Sequence, residues 1–274
     1  MIKHTFQHLP GVRAADEEEW WKRGLLCWED ACRSDLCSAD RRELLEESEQ
    51  RLEARDARYF ADNLTASERW RLYTEFFEEA AFLDIETTGL GADSYTTMAG
   101  VLDKSGYRAF IRGDNLDELP EALAEYRLVV TFNGLAFDVP FLRREFGPIL
   151  PNAAHMDLMY VLRRLGFKGG LKRVEQTLRV GRPSILSSLS GRDAVLLWQM
   201  AQEGEPEALQ TLIRYNAEDV VSLPKLAAIA VSEHAVGTPM AAVAAPKTSW
   251  FDPESLPFDA SLVHHIASLT VGRW

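Results

Sequence analysis

The sequence predicts an α/β protein: a mixed sheet flanked by helices over residues 80–236, preceded by a small all-helical region over residues 1–79. Two observations carry that division. Before Ala80 the chain is rich in Glu, Arg, Leu and Ala, with no Gly or Pro after Gly24, a composition of high helix propensity. From Phe82 onward, short apolar runs bounded by turn signals alternate with helical stretches, the texture of strands and crossover helices. Residues 237–274 are punctuated by Pro239, Pro246, Pro253 and Pro257 yet keep Trp250, Phe251, Phe258 and Trp274. That mixture predicts an arm packed on the body rather than a disordered tail.

In chain order, short helices are expected over Glu17–Arg23 and Trp28–Arg33, and longer ones over Arg41–Arg55 and Ala66–Phe77. Strands are expected at Phe82–Ile85, Tyr95–Leu102, Tyr107–Ile111 and Leu128–Phe132, with one more short strand near His155–Leu158. The turn D-K-S-G at Asp103–Gly106 joins two of them as an antiparallel hairpin. Later strands are separated by helices, so the sheet should be mixed. Helices dominate from Lys172 to Val231.

The chain has 274 residues, 46% hydrophobic and 26% charged, enough apolar content for a sizeable core. Neither a signal peptide nor a transit peptide is legible in M-I-K-H-T-F-Q-H-L-P, and the late apolar stretch L-A-A-I-A-V-S-E-H-A-V-G-T-P-M-A-A-V-A-A is broken by Glu233, His234, Gly237 and Pro239. No membrane span and a cytoplasmic location are therefore expected. Cys27, Cys32 and Cys37 are odd in number and lack a nearby His or a C-x-x-C pair. They read as reduced, helix-packing thiols rather than a disulfide framework or a zinc site.

The net charge of −12 argues by itself against a nucleic-acid partner, because phosphate contacts need Lys and Arg. The distribution of that charge along the chain argues the other way. Residues 1–80 carry 19 acids against 12 bases, a net of −7, whereas Val139–Asp193 carries 10 bases against 4 acids, a net of +6. Arg163, Arg164, Lys172 and Arg173 of that segment are candidate phosphate contacts; the plainer alternative is a solvated helical face.

The stretch A-F-L-D-I-E-T-T-G-L at Ala81–Leu90 sets the central problem. Alternate residues of a strand share a face, so Asp84 and Glu86 point the same way, roughly 6–7 Å apart. Two carboxylates aimed at one spot repel each other and resist desolvation. Two further acids sit in apolar surroundings: Asp138 in N-G-L-A-F-D-V-P-F-L, after the expected strand at Leu128–Phe132, and Asp219 in R-Y-N-A-E-D-V-V-S-L. Tyr215 and Asp219, four apart, share a helix face. Acids so embedded are usually paired or metal-bound. Singly each has a plain structural reading: a strand-end cap, a helix cap before Pro140, a partner for an Arg, and for Tyr215 a core aromatic.

Together, D-I-E-T-T-G at 84–89, N-G-x-x-F-D at 133–138 and Y-N-x-x-D at 215–219 closely resemble the three motifs of the DEDD 3′–5′ exonucleases, with Tyr215 marking the DEDDy subgroup. The stretch from about Ala80 to Ser232 is similar to the YprB-like ribonuclease-H-like proteins and to the proofreading exonuclease domain of family B DNA polymerases. The resemblance implies a ribonuclease-H-like fold with a mixed five-stranded sheet. It implies metal-dependent, two-ion removal of nucleotides from 3′ ends of single-stranded DNA or RNA. Asp84, Glu86, Asp138 and Asp219 are then the metal ligands: Asp84 bridges both ions, Glu86 and Asp219 complete one site, and Asp138 serves the second through water. Four hard oxygen donors suit Mg²⁺ or Mn²⁺ rather than zinc. Tyr215 orients the attacking water, while Thr87, Thr88, Asn133 and Phe137 are placed at the terminal nucleotide.

Rival readings are a non-catalytic nucleic-acid-binding or scaffold module with a nuclease fold, and an actin-like phosphotransferase, whose Gly-rich phosphate loops are missing here. Asp157, in H-M-D-L, reads as a cap or as a partner of Arg163 or Arg164, not as a ligand. Residues Phe6–Asp30 resemble a helix-hairpin-helix element but depart from it. Arg13 stands where a second Gly is expected, and Asp16–Glu19 follow, so the reading is a structural hairpin built on Trp20, Trp21 and Trp28.

Overall fold

The computed structural model describes residues 1–35, 37–181, 184–244, 248 and 251–271; Pro246, Trp250 and Trp274 lie outside the described residues. The N-terminal region is helical as expected: α1 (Ala14–Lys22), α2 (Trp28–Arg33), α3 (Ala39–Glu53) and α4 (Ala57–Asn63). The last of these adds to the expected helices. Arg55 takes a left-handed φ of 56° and ends α3, and the Asp56 carboxylate then accepts the Tyr59 N–H at 3.1 Å to cap a new helix.

The single helix expected over Ala66–Phe77 is instead a 3-10 stretch at Ala66–Leu72, the short α5 (Tyr73–Phe76) and a 3-10 turn at Phe77–Glu79. Glu68, Trp70, Arg71, Leu72, Tyr73, Phe76 and Phe77 are all buried. An α-helix turns one stripe inward, too narrow for that run.

Five strands form one sheet among the described residues: β1 (Ala80–Thr87), β2 (Thr96–Asp103), β3 (Gly106–Ile111), β4 (Leu128–Thr131) and β5 (Ala154–Asp157), in the order β3-β2-β1-β4-β5. The pairs β1–β2 and β2–β3 are antiparallel, and β1–β4 and β4–β5 are parallel. The hairpin and the mixed sheet match the sequence reading. Strand β1 runs longer than Phe82–Ile85 and takes Glu86 into the strand, with a register shift at Glu86/Thr87.

Helices cover both faces. Phe82, Leu102, Leu128 and Val130 share a core with the N-terminal helices, with α8 (Leu158–Arg164) and with the long α12 (Pro206–Ala235). On the other face, Leu83, Ile85, Val101 and Val129 pack against α6 (Leu119–Ala124) and α7 (Asp138–Phe146). A third cluster gathers Met98, α11 (Gly191–Gln202), the first half of α12 and α13 (Ala260–Val271). Between α8 and α11 lie α9 (Leu171–Leu178) and α10 (Ser184–Ser187). Among the described C-terminal residues, Phe251 stacks on Tyr107 at 5.7 Å, Arg214 donates to the Leu256 carbonyl at 2.9 Å, and Val263 and Ile266 are buried. None of the three cysteines is in a disulfide, and Cys37 is buried in the helical region.

The N-terminal hairpin is closed by acid rather than open to phosphate. Glu17, almost fully buried, accepts the Phe6 N–H at 2.6 Å and the Gln7 N–H at 3.3 Å, and pairs with Arg71 at 2.9 Å. Arg13 donates its N–H to Asp16 at 2.9 Å. Arg71 also holds Glu68 at 2.8 Å. Removing that guanidinium takes the basic partner from buried Glu17 and leaves Glu68 with Arg164 alone, so Arg71→Ala should cost about 3–5 kcal/mol of unfolding free energy in a urea melt. A loss under about 1 kcal/mol would show that water screens the network.

Candidate active site

Strand alternation puts Asp84 and Glu86 on the α12 side of β1, the face they share with Phe82. From α12, Asp219 reaches the same place. Asp84, Glu86 and Asp219 each offer an oxygen within 4.8 Å of the others', and they form the one such group of acids, His or Cys among the described residues. Glu86 and Asp219 are buried and Asp84 is half-buried. Carboxylates alone, hard and anionic, are a donor set that suits a hard divalent cation, and nothing else about the residues conflicts with one.

Asp138 arrives by a different route. Strand β4 pairs with β1 only as far as Phe82, so the edge of β1 beyond that point lacks a neighbouring strand. Asp138, at the first position of α7, accepts the Ile85 N–H at 3.2 Å and carries on the lost ladder. It stands beside the triad rather than in it, close enough to help raise the Glu86 pKa.

The loop that delivers Asp138 is held by Asp157. One carboxylate accepts the Asn133 N–H at 2.8 Å, the Leu135 N–H at 3.0 Å and the Met159 N–H at 3.0 Å, tying the loop to the start of α8. Asp157 thus caps the loop and the start of α8, one of the two readings its sequence setting offers. Asn133 takes a left-handed φ of 67°. The next residue must be Gly134, because a Cβ there would meet Thr131 Oγ1 at 2.2 Å. Thr131 in turn bonds His155 at 2.8 Å. Burial, with Arg69 and Arg143 nearby, lowers His155 to about 3, so it contributes no positive charge.

The remaining sequence candidates divide. Lys172 lies with its ammonium 5.0 Å over the Tyr215 ring and helps stabilise the Glu86 carboxylate, so it belongs to the centre. Tyr215 is buried among Met98, Leu197, Trp198 and Leu212, packing that a core aromatic would also show. Phe137 packs tilted against Phe141 at 4.7 Å at the head of α7. Thr87 and Thr88 use their hydroxyl oxygens in the β1–β2 loop: Thr87 donates to the Gly89 carbonyl at 2.8 Å and Thr88 accepts the Tyr95 N–H at 3.1 Å. Arg164 pairs with Glu68 of the helical region, because α8 runs from the centre toward that region. Arg163 and Arg173 are exposed, and no described contact links either to the acids.

Asn216 belongs to the centre although sequence reasoning gives it no role. Fully buried, it donates to Asp84 Oδ2 at 3.0 Å and accepts from the Tyr107 hydroxyl at 2.9 Å. The signal for it is its position inside Y-N-x-x-D, between two letters that do carry roles.

Electrostatics record the crowding. Burial, then Asp219 and Asp138, push Glu86 up to about 8, against the Asn216 hydrogen bond and Lys172. Burial likewise raises Asp138 to about 7. Both groups bind protons more tightly folded than unfolded, so their stabilising effect is complete below about pH 4 and is lost as pH rises through 7 and 8. A cation must displace those protons. In EDTA the melting temperature should fall between pH 5 and 8.5, and the rise produced by Mn²⁺ should grow over the same range. A Mn²⁺ increment independent of pH would mean that these carboxyls do not bind it.

Comparison with known proteins agrees with this architecture. A family model for the RNase H superfamily, RNase_H_2, matches residues 81–231. Among solved structures, a family B DNA polymerase from the hyperthermophilic archaeon Pyrobaculum calidifontis aligns at 19% identity and a TM-score of 0.45, over 60% of this chain and 26% of that one. The chain thus spans about a quarter of the polymerase's length. No curated protein matches. Among the described residues no helix is long and apolar enough to cross a membrane. With more than half of its 274 residues matched, this chain belongs to the RNase H superfamily.

Proposed function

We propose that the protein is a metal-dependent 3′–5′ exonuclease acting on single-stranded DNA or RNA, with residues 80–236 as the nuclease domain, residues 1–79 as its helical buttress and residues 237–274 as a packed arm. The observation that carries this reading is the convergence of Asp84, Glu86 and Asp219 within 4.8 Å in a buried setting. Bound Mg²⁺ or Mn²⁺, two ions in this reading, would supply Lewis acidity and lower the pKa of water at the scissile phosphate.

The chain's own residues do the rest. Asp84, Glu86 and Asp219 hold the cation, and Asp138, fixed on the Ile85 N–H, completes the acidic set. Tyr215 orients the attacking water through its hydroxyl, with Lys172 over its ring ready to meet a phosphate. Asn133 and Phe137, on the loop clamped by Asp157, border the terminal nucleotide. Thr87 and Thr88 shape the opposite loop. Free cysteines in odd number support a reducing, cytoplasmic setting.

The decisive assay uses 3′-labelled and 5′-labelled single-stranded and duplex DNA and RNA, each with Mn²⁺ and with EDTA. Shortening from the 3′ end with Mn²⁺ only is expected, and Asp84→Asn and Asp219→Asn should abolish it with the fold intact. Binding of oligonucleotide without any hydrolysis would favour the non-catalytic module instead. Tyr215→Phe keeps the packing and loses only the hydroxyl, so its turnover should fall about 10²–10⁴-fold. Unchanged turnover would return Tyr215 to the role of a core aromatic.

A further inference from the structure

Asp84 faces α12 in the middle of the sheet, where it meets a neutral side chain. Asn216 Nδ2 donates to Asp84 Oδ2 at 3.0 Å and to the Asp84 main-chain oxygen at 3.2 Å. The same amide also favours the charged form of Glu86. Its other end, Oδ1, accepts the Tyr107 hydroxyl of β3 at 2.9 Å. The Asp84 oxygens decide which way round the amide sits: they only accept, so a reversed amide would set Oδ1 against them and lose both bonds. Burial and the charges of Glu86, Asp84 and Asp219 push the Tyr107 phenol well up, so it remains a donor.

Room for this arrangement comes from the strand between. Gly100 lies directly across β2 from Asp84. A Cβ there would fall 1.8 Å from Asn216 Oδ1 and 2.9 Å from Tyr107 Cε2, contacts that no side chain could accommodate. Three positions on three elements, Gly100, Tyr107 and Asn216, thus serve one amide.

We propose that Asn216, locked by Tyr107 and seated over Gly100, is the positioning residue of the acidic centre: it aims the Asp84 carboxylate, and with it Glu86, for cation binding. This role rests on the metal-dependent reading above. An amide suits the task because it donates hydrogen bonds without adding a positive charge that would compete with the cation. A Lys or Arg in its place would neutralise the site.

The test uses the full chain and a readout separate from activity: melting temperature titrated with Mn²⁺, against EDTA, for wild type, Asn216→Ala and Tyr107→Phe. Removing a hydrogen-bond partner behind a metal ligand weakens metal binding about 10–100-fold. The Mn²⁺ concentration for half of the full melting shift should therefore rise by about that factor in Asn216→Ala. In Tyr107→Phe, where only the lock is lost, it should rise toward the lower end. If Asn216→Ala melts too low to titrate, Tyr107→Phe decides. A residue that merely packs α12 on the sheet would lower the EDTA and Mn²⁺ melts together and leave the half-point unmoved; that result in every variant that can be titrated overturns the proposal. A wild type whose melt does not respond to Mn²⁺ overturns the metal reading itself, and this inference falls with it.

Discussion

Mutual repulsion of like charges at the covered end of a sheet is the constraint around which this protein is built. Asp84 and Glu86 share a face by strand geometry, and α12 brings Asp219 against them. Charges so placed are kept from water and from one another's relief, and the raised pKa of Glu86 records the crowding. The surroundings include neutral hydrogen bonds: Asn216 toward Asp84, and the Ile85 N–H toward Asp138. Lys172 stands over the Tyr215 ring and favours the charged form of Glu86.

The helical region handles its own buried charge in the opposite manner. Glu17 and Glu68 close on Arg71, and Glu68 also takes Arg164. Both buried acids have basic partners already in place, so that network is complete within the chain. The contrast between a satisfied acidic network and a crowded one distinguishes structural carboxylates from those available for chemistry within one core. It also accounts for the hairpin amides, which Glu17 already occupies.

How much of this is legible in the sequence depends on the distance over which each feature is encoded. Asp84, Glu86, Asp138 and Asp219 announce themselves because an acid in an apolar run is a local anomaly. The capping role of Asp157 and the β2–β3 hairpin are local too. Asn216 stands in plain view, but its partner Tyr107 and its seat at Gly100 become visible only through the β1–β2–β3 register. The ion pair of Arg164 with Glu68 is likewise invisible locally, because the two residues lie far apart in sequence. The loop bonds of Thr87 and Thr88 depend on how the β1–β2 loop closes, and no strand pattern shows that.

The bond between Asn216 and Asp84 spans 132 residues of chain, and it sets an order of assembly. All five strands precede α12 in sequence, so during synthesis at about 5–20 residues per second the sheet waits for roughly ten seconds before its covering helix emerges. Throughout that interval β1 holds Asp84 and Glu86 with neither Asp219 nor Asn216 against them, while Phe82 on the same face already meets Tyr73 and Phe77 of the helical region. The support of the sheet is thus made before it and the chemistry after it: the acidic centre can form only once that long loop has closed.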